Sequence, residues 1–200
     1  MLALTRIDTD AISLTRTMLQ IMRQAVRDDS PRAGEEFCLP ARFARTLEAM
    51  DSSQTDEFCA SISGAPLLSM NEPKIKRLLA AVRSNCEPEG FSRAERDWER
   101  RLVSLQIALI GHIVQAIRVD PFAAREHWGM GADLAKSLEQ LNAAEAMELG
   151  EAAGGTSLFQ CRATAAVQVG IDLTFSGLTH KSVGQLVALN QLCTRQGVTA

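Results

Sequence analysis

Apolar residues recur at three- and four-residue spacing in two long stretches of the chain, the pattern of helices that each bury one face. In the first stretch Ile12, Leu14, Met18, Leu19, Ile21, Met22, Ala25 and Val26 form a wide stripe, with Asp8 or Thr9 placed to cap its start. In the second, Trp98, Leu102, Leu105, Leu109, Ile110, Ile113, Val114 and Ile117 do the same, behind Ser92 and Glu95 in capping-box spacing. Each stripe runs into a break, Asp28-Asp29-Ser30-Pro31 and Val119-Asp120-Pro121-Phe122, where proline ends the helix or opens a short turn. Two short helices are predicted after each break, over 39–50 and 53–62 and then over 131–141 and 143–153, with glycines at 64, 154 and 155 closing them. The short apolar stretches 66–70 and 157–161 read as extended and are candidates to pair with each other. A closing helix is expected in each half, over 73–84 and 181–196.

These parallels extend to the residues themselves. A shift of 91 positions lays Gln24-Ala25-Val26-Arg27 over Gln115-Ala116-Ile117-Arg118 and Asp29 over Asp120 without a gap. Phe37 then falls on Trp128, Leu39 on Met130, Ala44 on Ala135, Leu47 on Leu138, Glu57 on Glu148 and Leu67 on Leu158. Identity carried through turns as well as helices points to two copies of one supersecondary unit. The organisation read from it is a first unit over 1–84, a linker over 85–94 and a second unit over 95–200. The second is longer because 162–177 has no counterpart after Met70. Two such units in one chain can meet about a pseudo-twofold axis, their long helices packed together as in an isologous dimer.

Composition agrees with a mainly α fold. Of 200 residues 46% are hydrophobic and only 4% aromatic, with no tyrosine, a mixture short of the residues that fill strands. The most apolar stretch, 102–119, is interrupted by Ser104, Gln106, Gly111, His112, Gln115 and Arg118, so no membrane span is expected. Arg6, Asp8 and Asp10 near the start do not fit a signal peptide, and a cytoplasmic location is expected. Five cysteines, Cys38, Cys59, Cys86, Cys161 and Cys193, lie too far apart in sequence for a C-x-x-C site and read as free thiols.

Catalysis has little support. His112, His127 and His180 are the histidines, and they do not form a ligand set. None of the phosphate-loop, H-E-x-x-H or G-x-S-x-G patterns occurs. No catalytic residue, metal or cofactor is expected. A net charge of −3 and a pI near 5.7 argue against bulk electrostatic clamping of nucleic acid, so any DNA contact is local or shared with a partner. The local candidates are Lys74, Lys76 and Arg77 at the start of the first closing helix, and Thr179, His180 and Lys181 at the equivalent start in the second half.

The unit resembles the flagellar transcriptional regulator FlhD and its relatives on integrative and conjugative elements. The resemblance is carried by the long first helix and the stretch Trp128-Gly129-Met130-Gly131-Ala132-Asp133-Leu134-Ala135-Lys136-Ser137-Leu138-Glu139-Gln140-Leu141. Ala146-Met147-Glu148-Leu149, the extended segment and the closing helix through Leu192-Cys193-Thr194-Arg195 continue it. It implies a transcriptional activator subunit that joins an FlhC-like zinc-bearing partner on promoter DNA, with RNA polymerase as a further contact. The chain departs from the family in being a fused pair, in the 162–177 insertion, and in the position of Cys161. The rival reading is a protein-interaction adaptor that never touches DNA. A small helical enzyme with a pocket around His112 is a third.

Overall fold

The computed structural model describes residues 2–61 and 67–162. The chain is mainly α-helical. In order it forms α1 (Leu2–Asp28), α2 (Ser30–Glu36), α3 (Ala41–Ala49), α4 (Ser52–Ser61), β1 (Leu68–Met70) and α5 (Glu72–Arg83). After a linker come α6 (Asp97–Val119), α7 (Pro121–Trp128), α8 (Ala132–Glu139), α9 (Ala143–Ala152) and β2 (Phe159–Cys161). The closing helix expected over 181–196 and most of the 162–177 insertion fall outside the described residues.

Both apolar stripes are buried as their spacing requires. Met18, Leu19, Ile21, Met22, Ala25 and Val26 of α1 and Trp98, Leu102, Leu109, Ile110, Ile113 and Ile117 of α6 have almost no exposed surface, and the two long helices pack on each other. Each Leu, Ile, Met or Val side chain among them contributes about 1.5–3 kcal/mol when fully buried. α6 is, among the described residues, the one helix long and apolar enough to cross a membrane, with mean hydropathy 1.6. Length and composition do not by themselves make a span, and the stripe just named is occupied by α1, α7, α8 and α9.

The structure departs from the sequence reading in three respects. α1 and α6 end at the two predicted breaks, at Asp28 and Val119, but a short helix follows each directly, α2 and α7. Asp29 accepts a hydrogen bond from the Arg32 backbone N–H at 3.2 Å, and Asp120 does the same for Ala123 at 2.9 Å. Pro31 and Pro121 therefore stand in the first turn, where a missing N–H costs nothing. α6 begins at Asp97 rather than near Ser92, whose N–H donates to Thr156 Oγ1 at 3.0 Å. Glu99 caps α6 instead, its Oε2 accepting from the N–H groups of Glu95 and Arg96 at 2.8 and 2.9 Å. α1 begins at Leu2 and runs through Asp8 and Thr9, with no proline or glycine in that stretch to stop it.

Element order and contacts recur at the 91-residue offset. α4 and α9 superpose in number to the residue, as do β1 and β2. Arg27 Nη2 donates to the carbonyls of Glu48 and Met50 at 3.2 and 3.1 Å, and Arg118 Nη2 donates to Glu139 and Leu141 at 3.2 and 2.6 Å. Asp51 and Gln54 form a reciprocal cap at the start of α4, and Asn142 and Glu145 form the same cap at α9. β1 and β2 pair antiparallel, with Leu68 opposite Cys161, Ser69 opposite Gln160 and Met70 opposite Phe159. The flanking bonds are reciprocal too: Asn71 N–H to the Leu158 carbonyl at 2.8 Å and Arg162 N–H to the Leu67 carbonyl at 2.7 Å.

Candidate nucleic-acid interface

α5 carries the first cluster of candidate residues. Asn71 caps it, accepting from the Lys74 N–H at 3.3 Å, and Pro73 sits in its first turn. Ile75, Leu78 and Leu79 face the core, which turns Lys76 and Arg77 outward. Helical spacing thus sorts the three basic residues onto different surroundings.

Lys74 is committed to the interior. Its Nζ donates to Glu36 Oε1 at 2.7 Å and to the Ser157 carbonyl at 3.2 Å, and the same Glu36 oxygen accepts the Ser157 N–H at 2.5 Å. Lys74 therefore ties α5 to the end of α2 and to the approach of β2, and about four-fifths of the pair is shielded from water. Lys76 is half exposed and bridges to Glu72 Oε1 at 2.7 Å. The other Glu72 oxygen accepts the Gly131 N–H at 2.9 Å, at the start of α8. The bond from Lys76, then that from Gly131, holds the Glu72 carboxyl below its ordinary pKa, and Glu72 in turn raises that of Lys76. Arg77 is exposed and lies beside Gly90 of the linker. Thr179, His180 and Lys181 lie outside the described residues.

The polar ties around α5 belong to a longer seam between the two halves. Glu99 is 1% exposed and accepts from Arg32 Nη2 at 2.5 Å, while Arg96 reaches Asp29 at 3.3 Å. Phe37 packs on Trp98 with ring centroids 6.0 Å apart, and the Cys161 N–H donates to the Phe37 carbonyl at 2.9 Å. Within the second half, Gln106 Oε1 accepts the Leu158 N–H at 2.6 Å. A buried charge such as Glu99 is tolerable only when so fully bonded.

Two surface features escaped the sequence reading. Arg42 and Arg45, with Thr46 and Ala49, line a shallow groove on α3; their three-residue spacing was the available signal. Val119, Phe122 and Met147 are the large apolar side chains left exposed among the described residues, at 61%, 71% and 51%. His112 and His127 both pack their rings against Trp128, at 6.2 and 4.9 Å between centroids. In comparisons with family models, curated proteins and solved structures, nothing matches this chain.

Proposed function

We propose that this chain is a transcriptional activator subunit, an internally duplicated FlhD-like protein that binds promoter DNA together with an FlhC-like zinc-bearing partner and presents the assembly to RNA polymerase in the cytoplasm. The observation that carries the reading is the recurrence of elements and contacts about the Ser69–Gln160 pair. Two equivalent halves facing each other give the pseudo-twofold geometry with which dimeric regulators meet two half-sites on a duplex. The net charge of −3 favours DNA binding shared with a more basic partner.

On this reading the DNA-facing residues are Lys76 and Arg77, with Thr179, His180 and Lys181 in the second half. Lys74 acts behind them, anchoring α5 through Glu36. Contacts of this kind would go to phosphates and set orientation rather than sequence.

The test uses the full chain co-purified with its native partner and a labelled promoter fragment. Replacing Lys76→Glu and Arg77→Glu together is expected to weaken binding at least about tenfold and to flatten its salt dependence, with the complex still assembled. Unchanged DNA binding overturns this reading and leaves the interaction adaptor.

A further inference from the structure

Cys38 and Cys161 stand 123 positions apart in sequence and are brought together at the seam. The bond from the Cys161 N–H to the Phe37 carbonyl at 2.9 Å places Cys161 one peptide unit from Cys38. With standard peptide dimensions the accepting oxygen is about 2.8 Å from the Cys38 Cα and about 3.8 Å from the Cys161 Cα, so the two Cα atoms are at most about 6.6 Å apart. A disulfide spans about 4.4–6.8 Å between Cα atoms. The two thiols also feel each other electrostatically, since Cys38 adds to the burial that pushes the Cys161 thiol up to about 12.

A second observation concerns the backbone. Cys38 has φ +52°, in the left-handed region, and its counterpart 91 positions on is Gly129, at φ +62°. The left-handed conformation is free to glycine and costs other residues about 1–2 kcal/mol. The counterpart of Cys161 is Met70. The corresponding positions in the other half are Gly129 and Met70, whereas here a cysteine in a conformation suited to glycine follows the carbonyl to which the N–H of a second cysteine is bonded.

We propose that Cys38 and Cys161 are an oxidative modification site that closes to a disulfide and staples the first half of the chain to the second. The co-reactant is a small disulfide such as oxidised glutathione. The exposed Cys38 loses its proton to solvent and its sulfur attacks one sulfur of glutathione disulfide, releasing one glutathione thiolate. The deprotonated Cys161 sulfur then attacks Cys38 in the mixed disulfide and expels the second glutathione. Two protein thiols are oxidised, one glutathione disulfide is reduced, and the two protons end on the two glutathiones. Burial of Cys161 makes the second step the slower one.

The experiment incubates the folded full chain with oxidised glutathione, alkylates free thiols in denaturant and maps peptides by mass spectrometry without reduction. A Cys38–Cys161 crosslinked peptide, lost with dithiothreitol and absent in Cys38→Ser, is the expected result. A chain carrying a protease site between Glu87 and Glu89 supplies an independent readout: after oxidation and cleavage, its two fragments should migrate as one species on a denaturing gel until reduced. A stable glutathione adduct on Cys38 with no crosslink, fragments that separate without reductant, or a disulfide of different pairing overturns the proposal.

Discussion

Ser69 faces Gln160 across the two-stranded ribbon, and the two are counterparts at the 91-residue offset. The pairs on either side, Leu68 with Cys161 and Met70 with Phe159, exchange with one another under the same offset. An antiparallel ladder has a local twofold axis between directly opposed residues, and here the pairs that it relates are counterparts at the 91-residue offset. The seam is therefore a place where a difference between the halves can be measured against an internal control.

Arg27 and Arg118 offer the first such comparison. Each closes the last turn of a long helix and donates to two carbonyls at the end of a short one. Replacing either with methionine keeps the stem and removes the donors, at an expected cost of about 1–2 kcal/mol each. Urea denaturation should give similar losses for the two variants and, because the two arginines share no bonding partner, near-additivity in the double variant.

Gly150 marks a difference in packing. A Cβ there would come within 2.9 Å of the Ile107 backbone, so α9 and α6 approach more closely than any larger residue allows. Gly150→Ala is expected to lose about 1–3 kcal/mol through forced separation of the helices. For a chain of this size that lowers Tm by roughly 3–10 °C in a thermal scan.

The left-handed positions behave oppositely under substitution. Cys38→Gly removes backbone strain and should raise unfolding stability by about 0.5–1 kcal/mol in reducing buffer. Gly129→Ala introduces the strain and drives a Cβ into the Arg162 guanidinium, so a loss of at least about 1 kcal/mol is expected. Chemical denaturation of both variants checks the pair.

Acid sensitivity follows from Glu72. Its folded carboxyl is held below the ordinary 4.5 by Lys76 and Gly131. A depressed folded value means that the stabilisation is present above about pH 4.5 and is lost as pH falls through the folded value. Glu72→Gln should be less stable than the parent near neutrality, with the gap closing as pH drops below 4.5, read from urea midpoints across pH 3–7.

Local pattern made much of this architecture legible. The stripes of α1 and α6, the short helices α3, α4, α8 and α9, and the two extended segments all arise from spacing that neighbouring residues dictate. What failed was set by partners distant in sequence or by position within a turn. The breaks before Pro31 and Pro121 are legible, but not the short helices behind them, which Asp29 and Asp120 cap and in whose first turn proline fits. Ser92 has the right type for a cap, but Thr156 takes its N–H. Lys74 reads as one of three equal basic residues until Glu36, on another helix, claims its ammonium. The Cys38–Cys161 juxtaposition depends on the ribbon register, which no spacing of cysteines encodes.

Val119, Phe122 and Met147 stand exposed in the second half, and their counterparts in the first are Asp28, Pro31 and Asp56. Two identical subunits would have to display any sticky residue twice, once on each side of the axis, and would invite chains of molecules to grow from both ends. Tethering the halves in one polypeptide removes that obligation. The first half keeps Asp28, Pro31 and Asp56 where the second shows Val119, Phe122 and Met147, so an apolar display arises once per molecule instead of twice.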